Sequence, residues 1–235
     1  MTELGRLYGL GIGPGDPELL TLKAYRILTS VPVIAYPQTL ENGKVLAREI
    51  VRDFIRPDQI EIPMPLPFSL ARSSQPYYDI AAEKIVQHLK LGRDVAVLCV
   101  GDPMLYGSFI NIFNRVSGEF SIEVVPGISS VMASAAMLGA PITLGNDVLS
   151  IIPATLETEI LRDRVAVADA AAIIKLGRNF AKVRNILDEL GLRDRALYIE
   201  RATLPNQRIV PITEVDPAEV PYWALILIPS KTEPQ

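Results

Sequence analysis

Gly11-Ile12-Gly13-Pro14-Gly15-Asp16-Pro17, continuing as Glu18-Leu19-Leu20-Thr21-Leu22-Lys23-Ala24-Tyr25-Arg26-Ile27-Leu28, is the stretch on which the fold turns. Residues 6–12 alternate small and apolar types, so the segment reads as strand, glycine loop, helix. Asp16 suits a helix N-cap, Pro17 suits the first turn, and Glu18 complements the positive end of the helix dipole. A short apolar strand at 31–36, a helix at 44–55 and a strand at 59–62 extend this to a βαβαβ pattern.

Three alternating prolines, Pro63, Pro65 and Pro67, lead toward Pro76. They remove backbone donors, so residues 62–76 are expected to form a long loop, a candidate lid. A helix at 77–91 follows, with apolar residues at Ile80, Ala81, Ile85, Val86 and Leu89. The next strand, 94–100, is so apolar that it belongs at the centre of a parallel sheet. It ends in Gly101-Asp102-Pro103, and a helix at 106–116 comes after it. Ser117-Gly118-Glu119 marks the expected boundary, dividing the chain into domains 1–117 and 118–235.

Beyond it the pattern gives strands at 121–125, 148–152 and 171–175, and helices at 128–138, 156–164 and 181–190. Three final strands, 196–200, 207–211 and 222–228, have connections too short for crossovers and are expected to form an antiparallel meander. The fold class is therefore two α/β domains, the first sheet mainly parallel and the second mixed.

Composition narrows the function. Of 235 residues 49% are hydrophobic and 21% charged, which excludes disorder as the main state. With 23 Lys and Arg against 27 Asp and Glu, the net charge of −4 argues against a nucleic-acid partner. One cysteine, Cys99, and one histidine, His88, allow neither an internal disulfide nor a Cys/His zinc cluster, and no metal is expected. No stretch approaches the ~18 apolar residues of a membrane span, and residues 1–6 show no export signal, so a cytoplasmic setting is expected. Cys99 lies in an apolar strand and reads as core, whereas His88 falls on the polar side of its helix.

The 15 Gly and 19 Pro are clustered. A G-x-G-x-x-G fingerprint starting at Gly9 places Pro14 at its third glycine, and one starting at Gly11 places Asp16 there, so dinucleotide binding fails in both registers. Asp16-Pro17-Glu18 stands where a phosphate loop needs Gly-Lys-Ser/Thr. The tip of the second strand, Ala35-Tyr36-Pro37, lacks a ribose-binding acid. Two more turns, Gly101-Asp102-Pro103-Met104-Leu105-Tyr106-Gly107 and Pro126-Gly127-Ile128-Ser129-Ser130, follow later strands. In an open α/β sheet all three turns would converge on one crevice, where ligands bind.

In order and spacing, residues 11–23, 101–109 and 125–130 resemble the tetrapyrrole methylase family across nearly the whole chain. The resemblance implies S-adenosylmethionine as methyl donor, S-adenosylhomocysteine as product, two α/β domains with a trough between them, and a homodimer. Residues 126–130, 138–142 and 151–154 most resemble the branch that methylates carbon 20 of precorrin-2, a small-molecule tetrapyrrole of corrin synthesis, or its cobalt-containing counterpart. Another methylase of the family, or a noncatalytic tetrapyrrole-binding protein, stays open at this point. Uroporphyrinogen-methylating relatives carry Asp where Pro37 follows Tyr36, which points away from that activity.

By resemblance, Pro14 lies against the donor, Gly101 and Asp102 approach its methionine part, and Leu105 and Tyr106 lie near the sulfonium. Ser129 and Ser130 match a donor-contacting pair, and Leu176 and Ala202 match contacts to the adenosyl portion. Asp102 reads either as a charge partner for the donor or as a turn residue before Pro103. An acidic protein acting on a polycarboxylate needs local cations, and Arg72, Lys175, Arg178 and Arg201 are the candidates. No catalytic residue is assigned, because the nucleophile belongs to the substrate.

Overall fold

The structure is a computed structural model and describes residues 3–41, 43–67 and 73–231. The chain divides into two compact units, Met1–Ser129 and Ser130–Gln235.

The first unit alternates strands and helices: β1 (Leu7–Gly11), α1 (Leu22–Ser30), β2 (Val33–Thr39), α2 (Leu46–Ile50), β3 (Ile60–Leu66), α3 (Gln75–Lys90), β4 (Val95–Cys99), α4 (Phe109–Val116) and β5 (Ile122–Val125). Its strands lie in the order β3-β2-β4-β1-β5, every pair parallel, with Leu7 opposite Val95 and Gly11 opposite Cys99. Each residue of β4 is buried, as a strand covered on both faces requires. Part of that cover is α3, which buries Tyr78, Ala81, Ala82, Ile85 and Leu89 at helical spacing, and α4, which buries Phe109, Ile112 and Val116.

Three expectations change in this unit. The helix foreseen from Asp16 is split: Asp16 caps a short 3-10 turn, Pro17–Leu19, and α1 restarts behind Thr21, whose hydroxyl accepts from the Ala24 N–H at 3.1 Å. The proline-rich segment is not all loop, since β3 runs through Pro63 and Pro65 to Leu66 in register with β2. It can do so as an edge strand, whose outer side needs no N–H donors: Ile62, Met64 and Leu66 face the core and the prolines face out. The boundary falls after Ser129 rather than at 117, because β5 crosses back to pair with β1 instead of opening the second unit.

The second unit contains α5 (Ser130–Leu138), β6 (Leu149–Pro153), α6 (Thr158–Ala166), β7 (Ala170–Ile174), α7 (Phe180–Glu189), β8 (Leu197–Glu200), β9 (Arg208–Val210) and β10 (Ala224–Ile228). The sheet order is β6-β7-β10-β8-β9, with β6 and β7 parallel and the other pairs antiparallel. Alternate residues serve opposite faces. Ala171, Ile173 and Ile226 pack with Leu161, Val183 and Leu187 of α6 and α7, while Ala170, Ala172 and Leu227 pack with Val131 of α5. The meander is corrected: β10 lies between β7 and β8 instead of beside β9. β10, Ala-Leu-Ile-Leu-Ile, is wholly buried and takes a central place, whereas the three exposed or half-buried residues of β9 suit an edge. Among the described residues no helix is long and apolar enough to cross a membrane.

Candidate functional site

In the first sheet, β1 leads left to β2 and the adjacent β4 leads right to β5. Chains that leave neighbouring strands in opposite directions open a crevice at the carboxyl ends. The three glycine turns meet there in backbone contact. A Cβ on Gly11 would stand 2.4 Å from the Gly127 nitrogen, and one on Gly127 would stand 2.1 Å from the Gly101 oxygen. The Gly101 N–H donates to the Gly13 oxygen at 2.8 Å, with both residues left-handed at φ 74° and 76°. Convergence of these turns, expected from their positions, is thus a feature of the first unit.

Asp102 ties the cluster together. One carboxylate oxygen accepts from the Met104 N–H at 2.8 Å and the other from the Gly127 N–H at 2.9 Å. The turn role is therefore present in the structure, and the same carboxylate leaves negative charge at the crevice. Pro14 is buried in the first turn. Met104, Leu105, Tyr106 and Ile128 form an exposed apolar rim, with Tyr106 53% exposed in spite of its size. Ser129 immediately precedes α5 and Ser130 is its first residue.

The remaining candidate residues stand in the second unit. Leu176 is fully buried among core side chains and Ala202 is nearly so. Their neighbours are unusual. Among the described residues four non-glycines have positive φ: Tyr106 (54°), Lys175 (58°), Arg201 (50°) and Thr203 (67°). All four lie in turns that follow strands, and each is, or adjoins, a residue named above for the donor. Such backbone costs roughly 1–3 kcal/mol per residue and persists only where its surroundings hold it, which is why it gathers at functional sites.

Of the proposed cations, Arg178 is exposed in the turn Gly177–Asn179, Lys175 is half-buried, and Arg72 lies outside the described residues. Arg201 is already paired: its guanidinium donates to Glu200 at 2.9 Å. Glu200 went unread in the sequence. It is 3% exposed and also accepts from the Tyr198 hydroxyl at 2.8 Å and from Arg208 at 3.0 Å. The only hint was a Glu-Arg pair at the end of a strand. Tyr198 is pushed well above the usual phenol range, first by burial and then by Glu200.

An acid beside β2 also escaped notice, because it lies on the neighbouring strand: Glu61 of β3 stands opposite Ile34. The Tyr36 hydroxyl donates to Glu61 at 2.7 Å, and Arg48 holds the same carboxylate by two bonds of 2.7 and 2.9 Å. Burial, and then Glu61, push Tyr36 up to about 12. Cys99 is core as expected, its thiol pushed up to about 12 by burial, so it is no nucleophile at neutral pH. His88 is half-buried beside Arg93 on the outer side of α3. No group of potential metal ligands occurs among the described residues.

The fold and these turns define a two-unit α/β protein whose strand-end turns present main-chain groups and apolar side chains. The chain belongs to the tetrapyrrole (corrin/porphyrin) methylases, whose family model matches residues 6–217. It is 39% identical over 236 residues to the precorrin-2 C(20)-methyltransferase of Sinorhizobium sp, covering 96% of each chain. It is also 39% identical over 238 residues to the cobalamin biosynthesis protein CobIJ of Mycobacterium tuberculosis; there it covers 97% of its own length but 47% of the relative, so it spans about half of that protein. Among solved structures, uroporphyrin-III C-methyltransferase from Thermus thermophilus, complexed with S-adenosylhomocysteine, superposes with a TM-score of 0.69 at 27% identity. That match covers 96% of this chain and 92% of the other.

Proposed function

We propose that the chain transfers a methyl group from S-adenosylmethionine to carbon 20 of precorrin-2 in corrin synthesis, releasing S-adenosylhomocysteine and, from that carbon, a proton. The observation that carries the donor site is the backbone contact of Gly11, Gly101 and Gly127 at the switch point of the first sheet. The Sinorhizobium relative, similar end to end, supports carbon 20 as the position.

The residues fit this donor. Main-chain groups can read an adenine edge, the Asp102 carboxylate complements an ammonium or sulfonium, and the rim of Met104, Leu105 and Tyr106 suits a thioether and methyl. Bound S-adenosylmethionine supplies an electrophilic methyl group on a positively charged sulfur. The first-unit turns would hold the donor in one orientation, leaving its methyl open to an attacking carbon of the substrate. Leu105 and Tyr106, exposed at the rim, would lie over the bound donor and shield the reacting atoms from water. Carbon is the nucleophile, which is why a buried thiol and a remote imidazole suffice.

Leu176 and Ala202 are the second unit's candidates for the adenosyl portion, and Ser129 and Ser130 are candidates at the start of α5. Lys175, Arg178, Arg201 and Arg72 meet substrate carboxylates. The chain works as a homodimer in the cytoplasm, a reading that rests on the family resemblance and on a composition with one cysteine.

Anaerobic incubation with the donor and either precorrin-2 or its cobalt-containing counterpart, followed by mass and NMR location of the new methyl, tests this reading. One added methyl at carbon 20 is expected with precorrin-2. A methyl at another carbon overturns the assignment, and stoichiometric substrate binding without methylation points to a noncatalytic protein.

A further inference from the structure

We propose that Glu200 is a positioning residue for the donor site, its buried carboxylate acting with Gln207 to hold the left-handed backbone on both sides of Ala202. The proposal rests on the reading above that Ala202 contacts S-adenosylmethionine. A carboxylate that is 3% exposed has lost its hydration and must be matched by donors. Glu200 is matched by three: Tyr198 and Arg208 on one oxygen and Arg201 on the other.

A well-packed apolar residue would fill the end of β8 without that desolvation, so the charge invites an explanation beyond packing. The turn it closes supplies one. Arg201 has φ 50°, its N–H donates to the Trp223 oxygen at 2.6 Å, and its own oxygen accepts from the Leu204 N–H at 2.9 Å. Thr203, a β-branched residue at φ 67°, donates its N–H to the Gln207 side-chain oxygen at 2.7 Å. Gln207 is held in turn by its own N–H, which donates to the Leu204 oxygen at 2.9 Å.

Ala202 thus sits between two strained residues, one tied by its guanidinium to Glu200 and the other by its amide to Gln207. Released from either tie, the neighbouring residue can relax toward ordinary φ. That relaxation turns the peptide groups flanking Ala202 away from the orientation they now hold.

The test uses the full chain and S-adenosylhomocysteine binding by calorimetry, with thermal unfolding measured in parallel. Glu200→Gln keeps the shape but presents an amide N–H to an arginine, and should raise Kd roughly tenfold or more. Gln207→Leu, which leaves the buried carboxylate intact, should act in the same direction and decides the matter if Glu200→Gln does not fold. Arg208→Gln keeps the Arg201 tie and should change Kd less than about threefold. Val183→Ala, a core change in α7 of the same unit, should lower the unfolding temperature comparably while leaving Kd within about twofold. Wild-type affinity in both Glu200→Gln and Gln207→Leu, or equal weakening in Val183→Ala, overturns the proposal. Absence of binding by the wild-type chain would instead defeat the donor reading on which it rests.

Discussion

In the first unit the turns at the strand ends are glycines pressed backbone to backbone, so close that a single added Cβ at Gly127 would stand 2.1 Å from a carbonyl oxygen. In the second unit the turns after β7 and β8 place lysine, arginine and threonine at φ 58°, 50° and 67°. Glycine reaches such geometry by having nothing to collide. Arginine and threonine reach it only under restraint, and the restraint is visible in Glu200 and Gln207. The first unit is consequently intolerant of added atoms, and the second is intolerant of lost hydrogen bonds.

That contrast can be broken at several points. The largest effect is expected for Gly127→Ala: the methyl must push Gly101 aside, lowering unfolding free energy by about 1–3 kcal/mol and, by calorimetry, weakening S-adenosylhomocysteine binding roughly a hundredfold. Asp102→Asn comes next, since an amide offers one acceptor where the carboxylate gives two main-chain N–H groups their partners. Denaturant unfolding should show a loss of about 1–3 kcal/mol. Thr203→Gly should behave in the opposite way, relieving a β-branched residue at positive φ and raising stability by up to about 1 kcal/mol. A loss of stability there would mean that the second-unit turn is not strained as described.

The smallest effect concerns His88, away from both sets of turns. Burial, and then Arg93, lower its affinity for a proton below the ordinary value near 6.5. The unfolded chain therefore binds that proton more readily, so stability is full above the ordinary value and declines as pH falls below it through the folded value. Unfolding titrations of His88→Gln should lack this small decline, and its S-adenosylhomocysteine affinity should equal that of the wild type.

Much of the first unit was legible in the residues. The strand and glycine loop at residues 7–15, the unbroken apolar strand before Gly101, and the Pro126-Gly127 turn each announce themselves through local chemistry, and all three lie where that chemistry implied, although the helix after Asp16 starts only behind Thr21. Failures occurred where a residue's meaning depends on a distant partner. Pro63 and Pro65 break a central strand but not an edge strand, and which strand is the edge follows from sheet order. Residues 122–125 look like the start of a new domain until they pair with β1. Glu200 looks like any acid at a strand end until Tyr198, Arg201 and Arg208 close on it.

The chain's own residues therefore account for where strands stop, where helices are capped, and which turns need glycine, because those preferences belong to single residues and their immediate neighbours. Folding in three dimensions decided that β5 returns to β1, that β10 lies between β7 and β8, and that a glutamate is buried under two arginines. Pairing and burial are non-local: they bring together groups whose attraction or desolvation has no counterpart until the chain has closed on itself.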